Sequence, residues 1–154
     1  MPPRNIDQNL DGKGLGIGVV AARFNDYITD QMTDIAVSRL GVLGVATDDI
    51  VIVRPPGAFE LALVARRLTE RGDIDAVICI GVVIRGDTDH YEFVARAATD
   101  GIAHASDDSG KPVIYGVLTT DNTEDAVARI GHSADYADAA VEMANTMRQI
   151  HELS

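Results

Sequence analysis

Nine consecutive apolar residues, Ala76-Val77-Ile78-Cys79-Ile80-Gly81-Val82-Val83-Ile84, constrain this chain more than any other feature. Side chains of a strand alternate between two faces, so a strand with no polar alternation is buried on both. Such strands lie in parallel sheets covered by helices on either side. Three shorter runs, over residues 15–21, 50–53 and 112–119, have the same character. The segments between them read as helices. After Asn25-Asp26, Ile28, Met32, Ile35, Ala36, Leu40 and Leu43 recur at helical spacing. Beyond Pro55-Pro56-Gly57, a helix from about Phe59 carries Leu61, Val64, Ala65 and Leu68 on one face, and Arg71-Gly72 reads as its C-cap. Helices are also expected over residues 89–106, 123–130, where Gly131 would end the helix, and 134–151.

The order βαβαβαβαα predicts an α/β fold: a three-layer sandwich of the flavodoxin-like type, with a four-stranded parallel sheet and helices on both faces. Nothing in the composition breaks the 154 residues, so residues 1–154 are expected to form one domain, with residues 1–13 as an extended N-terminal arm. The arm has no apolar segment of a secretory signal, and no run approaches the ~20 apolar residues that span a bilayer. The single cysteine, Cys79, lies in the central strand and reads as a buried reduced thiol. The default compartment is therefore the cytoplasm. A net charge of −11 argues against nucleic acid or anionic membrane as a general partner.

In a doubly wound sheet, ligands bind beyond the carboxyl ends of the strands. That rule marks the segments around Arg23-Phe24-Asn25, residues 56–60, residues 84–90, and Thr119-Thr120. In Arg85-Gly86-Asp87-Thr88-Asp89-His90, a glycine turn leads directly into a helix N-terminus, where free N–H groups and the helix dipole favour anions. The ordinary alternative is that Asp87, Thr88 or Asp89 only caps the helix. His90, in the first turn, can exchange protons near neutrality, the alternative being a plain surface histidine. Phe24 is placed to stack on a flat heterocycle or to pack in the core. Glu60 is an acceptor for sugar hydroxyls or a first-turn glutamate favoured by the dipole. Arg129 suits phosphate or simply a helix C-terminus. No pair of histidines has metal-ligand spacing, so no metal is expected. There is no GxGxxG or GxxxxGK[ST] loop, which counts against dinucleotide binding or nucleotide hydrolysis.

Taken in order, Ala22-Arg23-Phe24-Asn25, Pro56-Gly57-Ala58-Phe59-Glu60-Leu61, the segment from Gly81 to His90, the strand ending Thr119-Thr120, and Ala126-Val127-Ala128-Arg129 resemble the 6,7-dimethyl-8-ribityllumazine synthases of riboflavin biosynthesis over nearly the whole chain. The resemblance implies a transferase. It would join 5-amino-6-(D-ribitylamino)uracil to 3,4-dihydroxy-2-butanone 4-phosphate without metal or redox cofactor. It implies that Phe24 stacks on the pyrimidine, that Ala58, Phe59 and Glu60 border the ribityl chain, and that Val82, Val83 and Ile84 offer main-chain groups to the uracil edge. It further implies that Gly86, Asp87 and Thr88 hold the phosphate, that His90 is the acid–base group, and that Tyr115 and Arg129 come from an adjacent subunit. The implied assembly is a homopentamer, in some members paired into decamers or built into icosahedral shells, with riboflavin synthase as a candidate protein partner. The arm over residues 5–13 would add to a neighbour's sheet edge. One departure stands out: many members carry a lysine in the turn before the last helix, whereas Gly131-His132-Ser133-Ala134-Asp135-Tyr136-Ala137-Asp138 has none. The competing expectations are a catalytically weak paralogue that binds flavin or lumazine, and an unrelated monomeric flavodoxin-like domain.

Overall fold

The computed structural model describes residues 2–153. Four strands, β1 (Ile17–Ala21), β2 (Ile50–Val53), β3 (Ala76–Ile84) and β4 (Val113–Thr120), form one sheet in the order β2-β1-β3-β4. Every pairing is parallel. Five helices connect and follow them: α1 (Asp26–Val42), α2 (Leu61–Thr69), α3 (His90–Ser109), α4 (Thr123–Ala128) and α5 (Ser133–His151). Short 3-10 turns at Thr47–Asp49, Ala58–Glu60 and Ile130–His132 complete the path.

Two of the four apolar runs, β1 and β3, become strands buried on both faces, whereas the edge strand β2 is half-buried with Ile52 exposed, and β4 leaves Tyr115 and Thr119 exposed. In β3, Ala76, Ile78, Ile80 and Val82 pack on one face with Met32, Ala36 and Leu40 of α1 and with Ala137, Ala140, Val141 and Ala144 of α5. Val77, Cys79 and Val83 pack on the other with Leu61, Ala65 and Leu68 of α2 and with Ala98, Ile102 and Ala105 of α3. The two cores are thus separated by one layer of backbone, as the two-residue period of a strand requires. Burial pushes the Cys79 thiol up to about 12, so it is a core group and not a nucleophile at neutral pH.

Several helix ends differ from the sequence reading. Gly72 does not cap α2: the helix stops at Thr69, and its C-cap, Glu70, keeps right-handed helical geometry. The following turn is held by a bidentate pair from Arg71 to Asp73, which needs no left-handed residue. The left-handed glycine cap occurs at Gly110, where φ is 70° and α3 has run three residues beyond its expected end. Helix α4 is also shorter than expected. Gly131 lies inside the next 3-10 turn instead of terminating a helix that reaches it.

The arm expected over residues 1–13, of which Met1 lies outside the described residues, forms no strand within its own chain. It is fastened across α5: Asn145 Nδ2 donates to the Asn9 and Asp11 carbonyls, both at 2.9 Å, and Gln8 Nε2 to Glu142 Oε1 at 2.8 Å.

Candidate active site

The carboxyl ends of β1, β2, β3 and β4 are stitched together by backbone hydrogen bonds outside the sheet. Arg23 N–H donates to the Pro55 carbonyl at 2.8 Å and Phe24 N–H to Pro56 at 2.9 Å, tying the loop after β1 to the loop after β2. Arg85 N–H donates to the Thr120 carbonyl at 2.9 Å, tying the end of β3 to that of β4. Asn25 takes a left-handed conformation (φ 64°), which asparagine tolerates better than most residues. Its amide donates to the Val82 carbonyl at 3.5 Å. Phe24 is therefore fixed by its backbone while its ring stays 70% exposed.

A cavity of about 580 Å³ opens at this edge, within the usual range for small-molecule sites. Phe24 forms one wall. Pro56, Gly57 and the 3-10 turn Ala58-Phe59-Glu60 form a second. Val82, Val83 and Ile84 make the floor, and Gly86, Thr88, His90, Tyr91 and Val94 the remaining side. Most residues expected from the sequence thus meet in one cavity. Asp87, between Gly86 and Thr88, is exposed and does not line it. Pro56 and Gly57 belong to the segment over residues 56–60 that the strand-end rule marks, whereas two further lining residues, Tyr91 and Val94, were not expected. For the last two a signal existed, because His90, Tyr91 and Val94 share one face of the first turns of a helix.

The turn before α3 has the character of an anion cradle. The backbone N–H groups of Gly86, Asp87 and Thr88 make no hydrogen bond within the described chain. Asp89 occupies the N-cap position, but its side chain caps nothing. Instead the Thr88 hydroxyl accepts from His90 N–H at 3.3 Å. The Glu60 carboxylate lies near Gly57, where an added Cβ would sit 3.4 Å from Oε1. Among the cavity's side chains only Glu60, His90 and Tyr91 are titratable, and none is a lysine or arginine.

Tyr115 and Arg129 lie outside the cavity of their own chain. Tyr115 pairs with Cys79 in the β3–β4 register, four residues short of Val83 at the floor, and its hydroxyl is 2.9 Å from Thr99 Oγ1. Arg129 ends α4 and donates from its guanidinium to the Asp125 carbonyl at 2.9 Å, so helix-end hydrogen bonding occupies it within the chain. Most of the lysine-free stretch over residues 131–138 lies within α5, where Asp138 pairs with Arg39 at 2.7 Å.

Fold and site together define a doubly wound α/β protein with a cavity at the carboxyl edge of its sheet and a turn of unbonded N–H groups beside a histidine. The family model described as 6,7-dimethyl-8-ribityllumazine synthase matches residues 14–148. The protein of that name from Desulfatibacillum aliphaticivorans is 42% identical over 152 residues, which cover 96% of this chain and 98% of its own length. That from Nitratidesulfovibrio vulgaris is 43% identical over 152 residues, 97% of each chain. This chain belongs to the 6,7-dimethyl-8-ribityllumazine synthase family.

Proposed function

We propose that the chain condenses 5-amino-6-(D-ribitylamino)uracil with 3,4-dihydroxy-2-butanone 4-phosphate to give 6,7-dimethyl-8-ribityllumazine, phosphate and two waters. The observation that carries this reading is the convergence, in one cavity, of Phe24, Ala58-Phe59-Glu60, Val82-Val83-Ile84, Gly86, Thr88 and His90. Phe24 stacks on the pyrimidine, whose polar edge meets the main chain of residues 82–84. Glu60 accepts from ribityl hydroxyls. The Thr88 hydroxyl and the N–H groups of Gly86, Asp87 and Thr88 hold the phosphate, and the Asp87 carboxylate stays in solvent. The 5-amino nitrogen adds to the ketone carbonyl and water leaves to give an imine. Loss of the C3 proton then expels phosphate and leaves an enol, which tautomerises to a new ketone at C3, and attack of the ribitylamino nitrogen on that ketone closes the ring with loss of a second water. His90 carries the protons for these steps, a contribution of about 10²–10⁴-fold. Most of the remaining rate comes from holding two reactants in register.

The cavity offers no cation of its own, yet a phosphomonoester must bind to a chain of charge −11. The reading therefore includes an adjacent subunit that supplies Arg129 to the phosphate and Tyr115 to the ring. Large apolar side chains outside the cavity that are left in water support such an assembly: Leu63 and Phe93 are each more than 60% exposed. The assembly is a homopentamer of one-domain subunits working in the cytoplasm, with riboflavin synthase as its candidate partner. Mixing the two substrates with the protein and following lumazine absorbance tests the reading. Product above the uncatalysed rate is expected, and none above it would overturn the proposal.

A further inference from the structure

Arg85 is the one cationic residue in the turn between β3 and α3, and it does not line the cavity. Three contacts hold it. Nε donates to Asp121 Oδ1 at 3.0 Å, the guanidinium carbon sits 4.9 Å from the centroid of the Tyr91 ring, and its backbone N–H is bonded to Thr120. A planar guanidinium suits this double task, since it pairs with a carboxylate at its edge while its face covers an aromatic ring. Tyr91 lines the cavity directly after His90. One side chain therefore braces both ends of the segment that holds Gly86, Thr88 and His90.

Its partner opens a second, equally braced segment. Next to Asp121, Asn122 caps α4 by accepting from Asp125 N–H at 2.8 Å. The Thr120 hydroxyl donates to the Asn122 carbonyl at 2.8 Å. Arg129 closes the same short helix by its bond to Asp125. Thr120 to Arg129 thus behaves as one hydrogen-bonded unit, joined to the phosphate turn through Arg85.

We infer that Arg85 is a positioning residue whose pairing with Asp121 fixes the phosphate turn relative to the α4 segment carrying Arg129, and so sets phosphate geometry in two adjacent sites at once. The inference rests on the functional reading above for the role of Arg129. Both partners are more than half exposed, so the effect is moderate: an exposed pair corresponds to at most about fivefold in a binding constant.

Arg85→Gln, Asp121→Asn and the double variant test the inference in the assembled protein. Each single change is expected to raise KM for the sugar phosphate by up to about fivefold, with kcat and KM for the aminouracil nearly unchanged. The double variant should match the singles, because one interaction is lost only once. Unchanged KM, equal shifts for both substrates, effects that multiply, or a parallel fall in kcat and thermal midpoint would each overturn it. Inorganic phosphate binding by calorimetry reads the same geometry without turnover. Wild-type protein that binds phosphate more tightly than both variants but makes no lumazine would sink the functional reading and leave the brace standing. Phosphate binding that is absent from the wild type, or equal in all chains, would overturn the brace.

Discussion

Replacing Gly101 by alanine would bring a methyl carbon to 2.6 Å from the Cβ of Ala62. Carbon atoms rest at about 3.5–4.0 Å, so α2 and α3 must part locally by roughly 1 Å. Overpacking of this kind costs about 1–3 kcal/mol, while alanine in a helix interior returns about 0.5–1 kcal/mol over glycine. A net loss of up to about 2.5 kcal/mol is expected, read as a lower urea midpoint. Gly41 is the matched control, since in α1 an added Cβ meets nothing within 4 Å. Gly41→Ala should be neutral or stabilising by up to about 1 kcal/mol. The functional consequence follows from where the two helices begin. α2 starts directly after Ala58-Phe59-Glu60, and α3 starts at His90, so separating them moves opposite walls of the cavity. A displacement near 1 Å can lower turnover by up to about 10²-fold. Adding Ala62→Gly to Gly101→Ala makes room for the methyl and should restore turnover. A Gly101→Ala protein as stable as Gly41→Ala, or a double variant that stays impaired, would refute the reasoning.

His90→Ala should lower turnover by about 10²–10⁴-fold while aminouracil binding, followed by calorimetry, persists; unchanged turnover would remove His90 from proton transfer. Cys79 keeps its proton in the fold up to about pH 12, whereas the unfolded thiol releases it from near 9.0. The unfolded state therefore binds fewer protons across that window, and stability falls as pH rises through it. Burial raises the Tyr136 hydroxyl as well, which adds a loss of the same sign at higher pH. Urea midpoints should decline above about pH 9, less steeply in Cys79→Ala, and an identical slope in both proteins would contradict the assignment.

The central strand was legible because a doubly buried strand leaves no polar alternation, so 76–84 could be read from residue type alone, whereas 50–53 is as apolar but forms a half-buried edge strand. Helix ends were less legible because glycine marks a stop only where the chain turns left-handed. Gly110 does so, whereas at Gly72 the Arg71–Asp73 pair makes the turn instead. The site divides along similar lines. Phe24, Glu60, Thr88 and His90 were found because strand ends converge at one edge of a doubly wound sheet. Tyr91 and Val94 lie beyond the strand-end loops and reach the cavity only because the first turns of α3 face it, which a rule about strand ends does not mark. The brace from Arg85 to Asp121 spans 36 positions in sequence, and no local pattern signals a contact between loops that only the sheet brings together. Tyr115 entered by resemblance alone, and Arg129 by its guanidinium near a helix end, with the resemblance adding its place in an adjacent site. Within the chain, Thr99 and Asp125 engage them, and nothing in their neighbourhood points to the cavity.

The central claim, a site completed by a neighbouring subunit, is tested most directly by mixing. Equal amounts of His90→Ala and Arg129→Ala chains are unfolded together, reassembled, and assayed with sugar phosphate held well below its KM. Each intact site needs His90 from one chain and Arg129 from the next, so random assembly restores roughly a quarter of sites. Activity near a quarter of wild type, far above either variant alone, is the result expected. Activity no higher than the mean of the two variants would contradict the shared site.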